Sequence, residues 1–593
     1  MQKQPVATPV EQPRDYYRGS LFGALRQTAE RYPQHIALNF LGRKFSYAAL
    51  MEHVDCCAAA LANAGIRRGD VVAVMLPNCP QAAVAFYAVS QVGAIASMIH
   101  PLLSAAELQH ALELTGAKLL VTMDIFYEKS LQVTQLAAAR PGGSPIRIVA
   151  TSIVDELPFY ARGIFRFRAK KNDLPPRKVV DGGGTRTYRS FMAEGRALCQ
   201  AGRGVEVRLD EGDLSAEPAT ILFSGGTSGT PKGILLSNGN VNAEAWQVCC
   251  STSNAPQPGQ RILCALPLFH GFGLAVCLHF GLSNGLCCML VPRVTVKDYS
   301  KVLVVGKCNY VVGVPTLLGK IMDLPSMRVA DLSFVEDVIS GGDAIPREMK
   351  RRLDLFLERR GSQARVREGY GATECTAAFT VEPREGGTES IGAPLICNRV
   401  KVVDPASGAE LPQGSDGELL LSGPAVMQCY WNNPEETAKT IEVDEHGCRW
   451  LHTGDIARVG ADGLLYYRGR IKRMIIASGY NIYPNQIEAE LNKLPEVALS
   501  CVVAVPDEYR LHRLKAFVVP SAGTPANAQT SEHIMEAMKG CLARYSWIKE
   551  IEFREELPLT KVGKVAYREL EREEEERARA TGQGGSSPAE AVA

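Results

Sequence analysis

At 593 residues the chain has room for three to five compact domains of roughly 100–200 residues each, which excludes a lone binding motif. Lys and Arg number 65 against 64 Asp and Glu, a net charge of +1 that speaks against a wholesale polyanion binder, and no nucleic-acid-binding signature accompanies it. Hydrophobic residues at 46% and charged residues at 22% exclude disorder as the main state.

The chain opens with Met1–Arg14, which is polar and carries Pro5, Pro9 and Pro13, with Gln2 where myristoylation would need Gly. No export or lipid signal is expected there. Apolar residues recurring every three to four positions over Tyr47–Ala64, and the run Gln81–Val92, predict helices. The β-rich runs Val71–Leu76, Lys118–Val121 and Ile146–Ala150 predict strands, and this alternation predicts parallel α/β layers.

Further along, Arg162–Lys178 holds seven basic residues and one acid, interleaved with Phe165 and Phe167 and preceded by Phe159 and Tyr160. Residues 159–178 suit either a solvated surface insertion or peripheral contact with an anionic membrane surface. Ile262–Pro292 contains no charged residue, longer than the roughly 20 residues that span a bilayer. Pro267, His270, Gly271, Gly273, His279, Gly281, Ser283, Asn284 and Gly285 fragment it, so it reads as a buried helix plus strand.

After about Gly386 the pattern turns to short strands and Gly/Asp turns, as at Val400–Val403, Gly417–Leu421 and Leu464–Tyr467. From Lys472 onward Ile487–Leu494 and Ser531–Ala543 predict helices, and Cys501–Val505 and Ala516–Val519 predict strands. Glu569–Ala593 reads as a charged helix tip running into a Gly/Ser/Ala tail. The expected architecture is α/β. Residues 1–471 form a large layered domain with a β-rich subdomain over about 387–471, residues 472–570 a small α+β domain, and 571–593 a tail. Seventeen Cys without any C-x-x-C spacing suggest neither a zinc nor a dithiol site, and reduced thiols in the cytoplasm fit best.

Ile221–Gly233 runs from a strand into a loop of glycines, hydroxyls and one lysine, Ser224, Gly225, Gly226, Thr227, Ser228, Gly229, Thr230, Pro231 and Lys232. In composition this is a phosphate cradle: glycines let backbone N–H groups converge, hydroxyls add donors and Lys232 adds charge. Pro231 and Gly233 flank the lysine where a Walker loop needs Gly and Ser/Thr, and Thr230 stands where a nucleophile elbow needs Gly.

This loop resembles the signature loop of AMP-forming, adenylate-forming enzymes, the superfamily of acyl-CoA synthetases, luciferases and peptide-synthetase adenylation domains. Further motifs follow in the superfamily's order. Tyr370-Gly371-Ala372-Thr373-Glu374 resembles its adenine and Mg²⁺ motif, and Trp450–Asp455 its ribose motif. Gly469–Arg473 and Gly479–Pro484 resemble the hinge and thiol-channel motifs, and Leu557–Lys564 the motif bearing the catalytic lysine. The resemblance implies ATP, Mg²⁺ and coenzyme A as cofactors and a small-molecule carboxylic acid as substrate, with no obligate protein partner. The acid would first form an acyl-AMP with release of pyrophosphate, then an acyl-CoA thioester with release of AMP.

It also implies roles. Lys564 bridges carboxylate and α-phosphate, Glu374 holds Mg²⁺, Thr373 touches the α-phosphate and Thr227 meets the metal through the phosphates. Asp455 and Arg470 grip the ribose, Tyr370 stacks on adenine, and Gly341, Gly342 and Asp343 line its other side, although Gly341-Gly342 also reads as a plain tight turn. Lys472 is the hinge of a mobile C-terminal domain, after whose rotation Gly479 and Tyr480 line the thiol channel. Pro267–Gly273 resembles the acyl and aryl ligase pattern, with His270 gating or lining the acid pocket and no Asp to pair with an amino-acid ammonium. Thr187–Phe191 and the basic-aromatic insertion resemble bacterial long-chain acyl-CoA synthetases, while an aryl or bile acid, or a separate carrier protein as acceptor, stays open. Two positions depart from the pattern: Tyr567 where relatives often have Arg, and Lys472 for the commoner acidic hinge.

Overall fold

The computed structural model describes residues 16–580 except 140–144, 159–161, 163–178, 206–211, 225–230, 387, 389, 478–479, 508–510 and 560–564. The basic-aromatic insertion apart from Arg162, six residues of the glycine-rich loop, Gly479, Lys564 and the tail beyond Ala580 therefore lie outside the described residues. The chain divides into two compact units. One comprises Met1–Gly342, Arg351–Val400 and Leu421–His452; the other comprises Asp343–Lys350, Lys401–Leu420 and Thr453–Ala593.

The first unit contains two sheets. In one, Pro218–Ser224, Ile95–Met98, Val71–Met75, Leu119–Met123, Arg147–Thr151 and Thr185–Thr187 run parallel in that order, with Lys232–Ser237 and Cys429–Tyr430 added antiparallel at one edge. The other has nine strands, and its parallel centre runs Val366–Tyr370, Asp337–Gly341, Tyr310–Gly313, Arg261–Cys264, Cys287–Leu290 and Ile36–Phe40. Val71–Met75 is buried at every position, as a strand covered on both faces must be, and so it carries an unbroken apolar run.

Local chemistry sets the helices between them. Tyr47–Asn63 starts where Ser46 accepts a hydrogen bond from the Ala49 N–H, a cap worth about 1 kcal/mol. Pro80–Val92 begins with proline in its first turn and ends at Gly93, whose φ of 76° is left-handed. The charge-free stretch folds as expected into buried elements: strand Arg261–Cys264, a π-helix over Phe272–His279, helix Phe280–Ser283 and strand Cys287–Leu290. His279 is fully buried between Tyr87 Oη at 3.0 Å and Asn242 Oδ1 at 2.8 Å, and burial lowers its pKa to about 3, so the ring is neutral. No helix among the described residues is long and apolar enough to cross a membrane. None of the seventeen cysteines is in a disulfide.

In the second unit, Asp455–Val459 pairs antiparallel with Leu465–Arg470. Val497–Asp507 and Leu511–Pro520 form a long antiparallel pair, with Glu550–Phe553 parallel to the latter. Alternation along Val497–Asp507 serves both faces. Val502 packs with Ile487, Leu491 and Ile534, whereas Cys501 and Val503 pack with Phe517, Leu557 and Leu570. The strands are longer than the sequence pattern suggests, and the first helix is Pro484–Leu491, with proline in its first turn, rather than Ile487–Leu494. A four-charge knot lies in this sheet: Lys515, 3% exposed, meets Glu550, Glu552 and Glu574 at 2.8, 2.8 and 3.0 Å.

Candidate functional site

Parallel pairing places the C-terminal ends of Arg261–Cys264, Asp337–Gly341 and Val366–Tyr370 along one edge of the nine-stranded sheet. In open parallel sheets this is the edge where ligands bind. Three expected segments leave from it: Pro267–Gly273, Gly341-Gly342 and Tyr370–Glu374. Two of these loops meet main chain to main chain. A Cβ on Gly271 would stand 1.7 Å from Thr376 O, and within the second loop a Cβ on Gly371 would stand 1.8 Å from Ala377 O. Gly341 faces the Phe272 ring, where a Cβ would lie 3.0 Å away, and Gly342 has a φ of 83°, which suits glycine.

Thr376 centres a γ-turn: its φ and ψ are 68° and −62°, and Ala377 N donates to Cys375 O at 2.8 Å. This conformation is strained for a β-branched residue. It is held because Thr376 Oγ1 donates to Ala425 O at 2.7 Å and because Glu244 braces the next residues. Glu244 Oε1 accepts from Ala378 N at 2.7 Å, and complete burial raises its pKa to about 8, so the carboxyl carries a proton at neutral pH.

Thr373 and Glu374 sit in a single turn of 3₁₀ helix directly after Tyr370. Glu374 Oε1 accepts a hydrogen bond from Tyr430 Oη at 3.0 Å, and Glu374 O accepts from Met427 N at 2.8 Å. Burial, with the adjoining Glu374 carboxylate, raises the Tyr430 pKa, so the phenol remains a donor. Lys232 completes the group. It is ion-paired with Glu436, and its Nζ lies 5.1 Å from the Tyr430 ring centroid. The glycine-rich loop is closed at its base, where Ser224 pairs across strands with Lys232. Tyr430 reaches this place because Cys429–Tyr430 pairs antiparallel with Leu235 and Ile234. Tyr430, Glu436 and Glu244 were not singled out from sequence.

His270 belongs to an aromatic row in the first unit: ring centroids of His100 and Phe269 are 4.4 Å apart, and those of Phe269 and His270 are 4.9 Å apart. The Glu374 carboxylate suits Mg²⁺, which keeps several waters and typically takes only one or two carboxylates beside substrate phosphates. Among the described residues no cluster of three or more His, Cys, Asp or Glu offers an all-protein cage.

In the second unit, Asp455 and Arg470 are cross-strand partners whose Oδ1 and Nε are 3.0 Å apart, the carboxylate buried and the guanidinium half exposed. Asp343 is exposed, and its Oδ1 accepts from Ala344 N at 2.9 Å. Lys472 is exposed in the 3₁₀ turn Ile471–Arg473. Tyr480 opens strand Tyr480–Ile482, which pairs with Ile475–Ala477. The residues flanking the Lys564 loop are tied together by the Leu559–Val565 bridge and by Ala566 N donating to Pro558 O at 2.8 Å.

Residues 25–431 match the family described as AMP-binding enzyme, and residues 486–564 match the AMP-binding enzyme C-terminal domain. A long-chain-fatty-acid–CoA ligase of Bacillus subtilis (strain 168) is 30% identical over 94% of this chain and 95% of its own length. A feruloyl-CoA synthase of an Amycolatopsis species is 31% identical over 92% of this chain and 97% of its own. Among solved structures, that of the anthranilate CoA ligase AuaEII in complex with anthranoyl-AMP matches with a TM-score of 0.78 at 21% identity, covering 96% of this chain and 99% of that one. At that identity the likeness speaks for the fold.

Proposed function

Because the chain belongs to the AMP-binding enzyme family and is an AMP-forming acid–thiol ligase that uses ATP, Mg²⁺ and CoA, we propose that its acid is a medium- or long-chain fatty acid or a similar hydrophobic carboxylic acid. The observation that carries this is the charge-free stretch Ile262–Pro292, an apolar wall of buried helix and strand that itself contains Phe269 and His270 of the aromatic row. Such a wall takes an alkyl or aryl chain and leaves an amino-acid ammonium without a counter-charge. The relative named as a long-chain-fatty-acid–CoA ligase supports the fatty reading, and the feruloyl-CoA synthase supports an aryl acid as the second.

Within this reading the residues divide the work. Tyr430 orients the Glu374 carboxylate, which with substrate phosphates would hold Mg²⁺. When bound, the ion offsets phosphate charge as the carboxylate approaches. Lys232 exchanges Glu436 for a phosphate once ATP enters, while Thr227 and the amides of Gly225–Thr230 cradle the phosphates. Thr373 meets the α-phosphate, and Tyr370 with Gly341-Gly342 frames the adenine. Asp455, ion-paired with Arg470, accepts from the ribose hydroxyls. Lys564 supplies the cation between carboxylate and α-phosphate, and rotation at Lys472, the junction of 1–471 with 472–570, then brings Gly479 and Tyr480 to the thiol path. Residues 159–178 give this cytoplasmic enzyme a peripheral hold on the inner membrane surface, supported by their seven basic residues and aromatic neighbours.

The test is pyrophosphate release from ATP and Mg²⁺ across acetate, octanoate, palmitate, ferulate, a bile acid and amino acids, with and without CoA. CoA-dependent turnover of octanoate or palmitate supports the fatty reading, and turnover of ferulate alone selects the aryl one. Pyrophosphate release without acyl-CoA formation points to a carrier protein as acceptor. Cosedimentation with phosphatidylglycerol vesicles, but not with phosphatidylcholine vesicles, checks the membrane contact.

A further inference from the structure

Arg473, the residue after Lys472, is tied to three other parts of the second unit. Its Nη2 and Nη1 donate to Glu488 Oε1 and Oε2 at 2.5 and 3.1 Å. Nη2 also approaches Cys501 Sγ at 3.5 Å, and the guanidinium carbon lies 4.7 Å from the Tyr567 ring centroid. The pair is largely withdrawn from water, with side chains 19% and 13% exposed. Glu488 Oε1 also accepts from Val502 N at 2.7 Å, so one carboxylate serves both helix Pro484–Leu491 and strand Val497–Asp507. Tyr567 opens helix Tyr567–Ala580, whose Leu570 is buried with Cys501, Val503 and Phe517.

We propose that Arg473 is a positioning residue that bolts the Lys472 end of the chain to the helix beginning at Tyr567, so that the segment entering that helix moves as one body with the pivot. The inference rests on the reading of Lys472 as hinge and Lys564 as the adenylation lysine. A pivot transmits rotation only if the residue beside it does not give. A forked guanidinium on a carboxylate is a stiff joint, because two parallel hydrogen bonds fix both distance and plane. The ring face of Tyr567 adds a second fixed contact on the same cation. This also accounts for the departure at Tyr567. An arginine there would set a second cation against Arg473, whereas a phenol ring accepts it. Lys472-Arg473 and Tyr567 are therefore one linked feature of this chain.

The test uses the full-length enzyme with Arg473→Met, Tyr567→Leu and the double variant. Adenylation is read as pyrophosphate exchange with octanoate and palmitate, and thioester formation separately from octanoyl-AMP and hexadecanoyl-AMP with CoA. Each single change should lower adenylation about tenfold and the double change little further, while thioester formation stays within about twofold. Arg473→Lys should recover part of the loss. Additive losses, or equal loss in both half-reactions, overturn the proposal, and Tyr567→Leu keeps it testable should Arg473→Met fail to fold. Lys564→Ala, run alongside, separates the two ideas. If it abolishes adenylation while the Arg473 and Tyr567 variants retain it, only the bolt falls. If Lys564→Ala retains adenylation, the reading of the lysine falls and takes the bolt with it.

Discussion

The Tyr430 hydroxyl donates a 3.0 Å hydrogen bond to Glu374 while the face of the same ring carries the Lys232 ammonium at 5.1 Å. One side chain thus links the anion and the cation of the first unit's strand-end cluster. Its partner strand fixes it from behind through Ile234.

Tyr430→Phe keeps the ring under Lys232 and removes only the donor to Glu374. A hydrogen bond to a charged group contributes about 1.5–3 kcal/mol, so adenylation should fall by about 10- to 100-fold with thermal stability nearly unchanged. Titration of Mg²⁺ at fixed ATP should show a higher metal requirement. An unchanged Mg²⁺ profile would remove Tyr430 from the site.

Gly271→Ala tests the contact between the two loops. Its backbone is helical, with φ of −52°, so strain is not the issue. The added carbon would stand 1.7 Å from Thr376 O, and main chain must move. Overpacking of this kind costs about 1–3 kcal/mol or more, which calorimetry should register as a lower Tm and weakened activity. Gly540→Ala, near the end of helix Ala528–Cys541 with nothing within 4 Å, should be neutral or slightly stabilising.

Glu244→Gln addresses a buried carboxyl whose pKa burial raises from 4.5 to about 8. Below pH 4.5 both folded and unfolded forms hold the proton. Between pH 4.5 and 8 the unfolded chain releases it while the folded chain keeps it, so stability falls as pH rises through that window. Glutamine still accepts from Ala378 N and does not titrate. The variant should gain Tm over the parent at pH 8.5, with the difference vanishing toward pH 5; a constant offset across that range would contradict the assignment.

Lys515→Met removes the buried cation shared by Glu550, Glu552 and Glu574, which keep only Arg513, Arg554 and Arg577 at the rim. With those arginines still in place and two of the carboxylates partly exposed, the loss should be about 1–3 kcal/mol, short of that for a fully buried pair. Burial opposes ionisation of Glu552, but Arg577, Lys515 and Arg554 outweigh it and hold its pKa at about 2. That stabilisation is present above pH 4.5 and is lost as pH falls through 4.5 toward 2. Thermal melts from pH 7 to pH 3 should show the parent losing Tm on acidification and Lys515→Met starting lower and falling less.

Strands and motifs were readable where one short stretch carries the whole signal. The buried strands are continuous apolar runs, and the Gly-rich and Tyr370–Glu374 stretches leave strand ends as their composition suggests. Glu436 was not readable, because its partner Lys232 is 204 residues away and only antiparallel pairing of a two-residue strand unites them. Glu244 was hidden for another reason: an acid within a helix looks like a solvated residue until the helix proves buried all round. Strand Val497–Asp507 outran expectation because Pro506 and Asp507 look like a turn, yet both continue the ladder with His512 and Leu511.

The seam between Gly271 and Thr376 limits how this enzyme can be re-engineered. With backbone against backbone there, the loop proposed to greet the acid and the loop proposed to hold the metal cannot be redesigned separately. A library that lengthens or bulks the Pro267–Gly273 turn would displace Thr376 and, two residues earlier, Glu374, and so would lose catalysis before it gained a new acid. Changes of acid preference are better sought along the π-helix from Leu274 to Cys277, whose apolar side chains are buried.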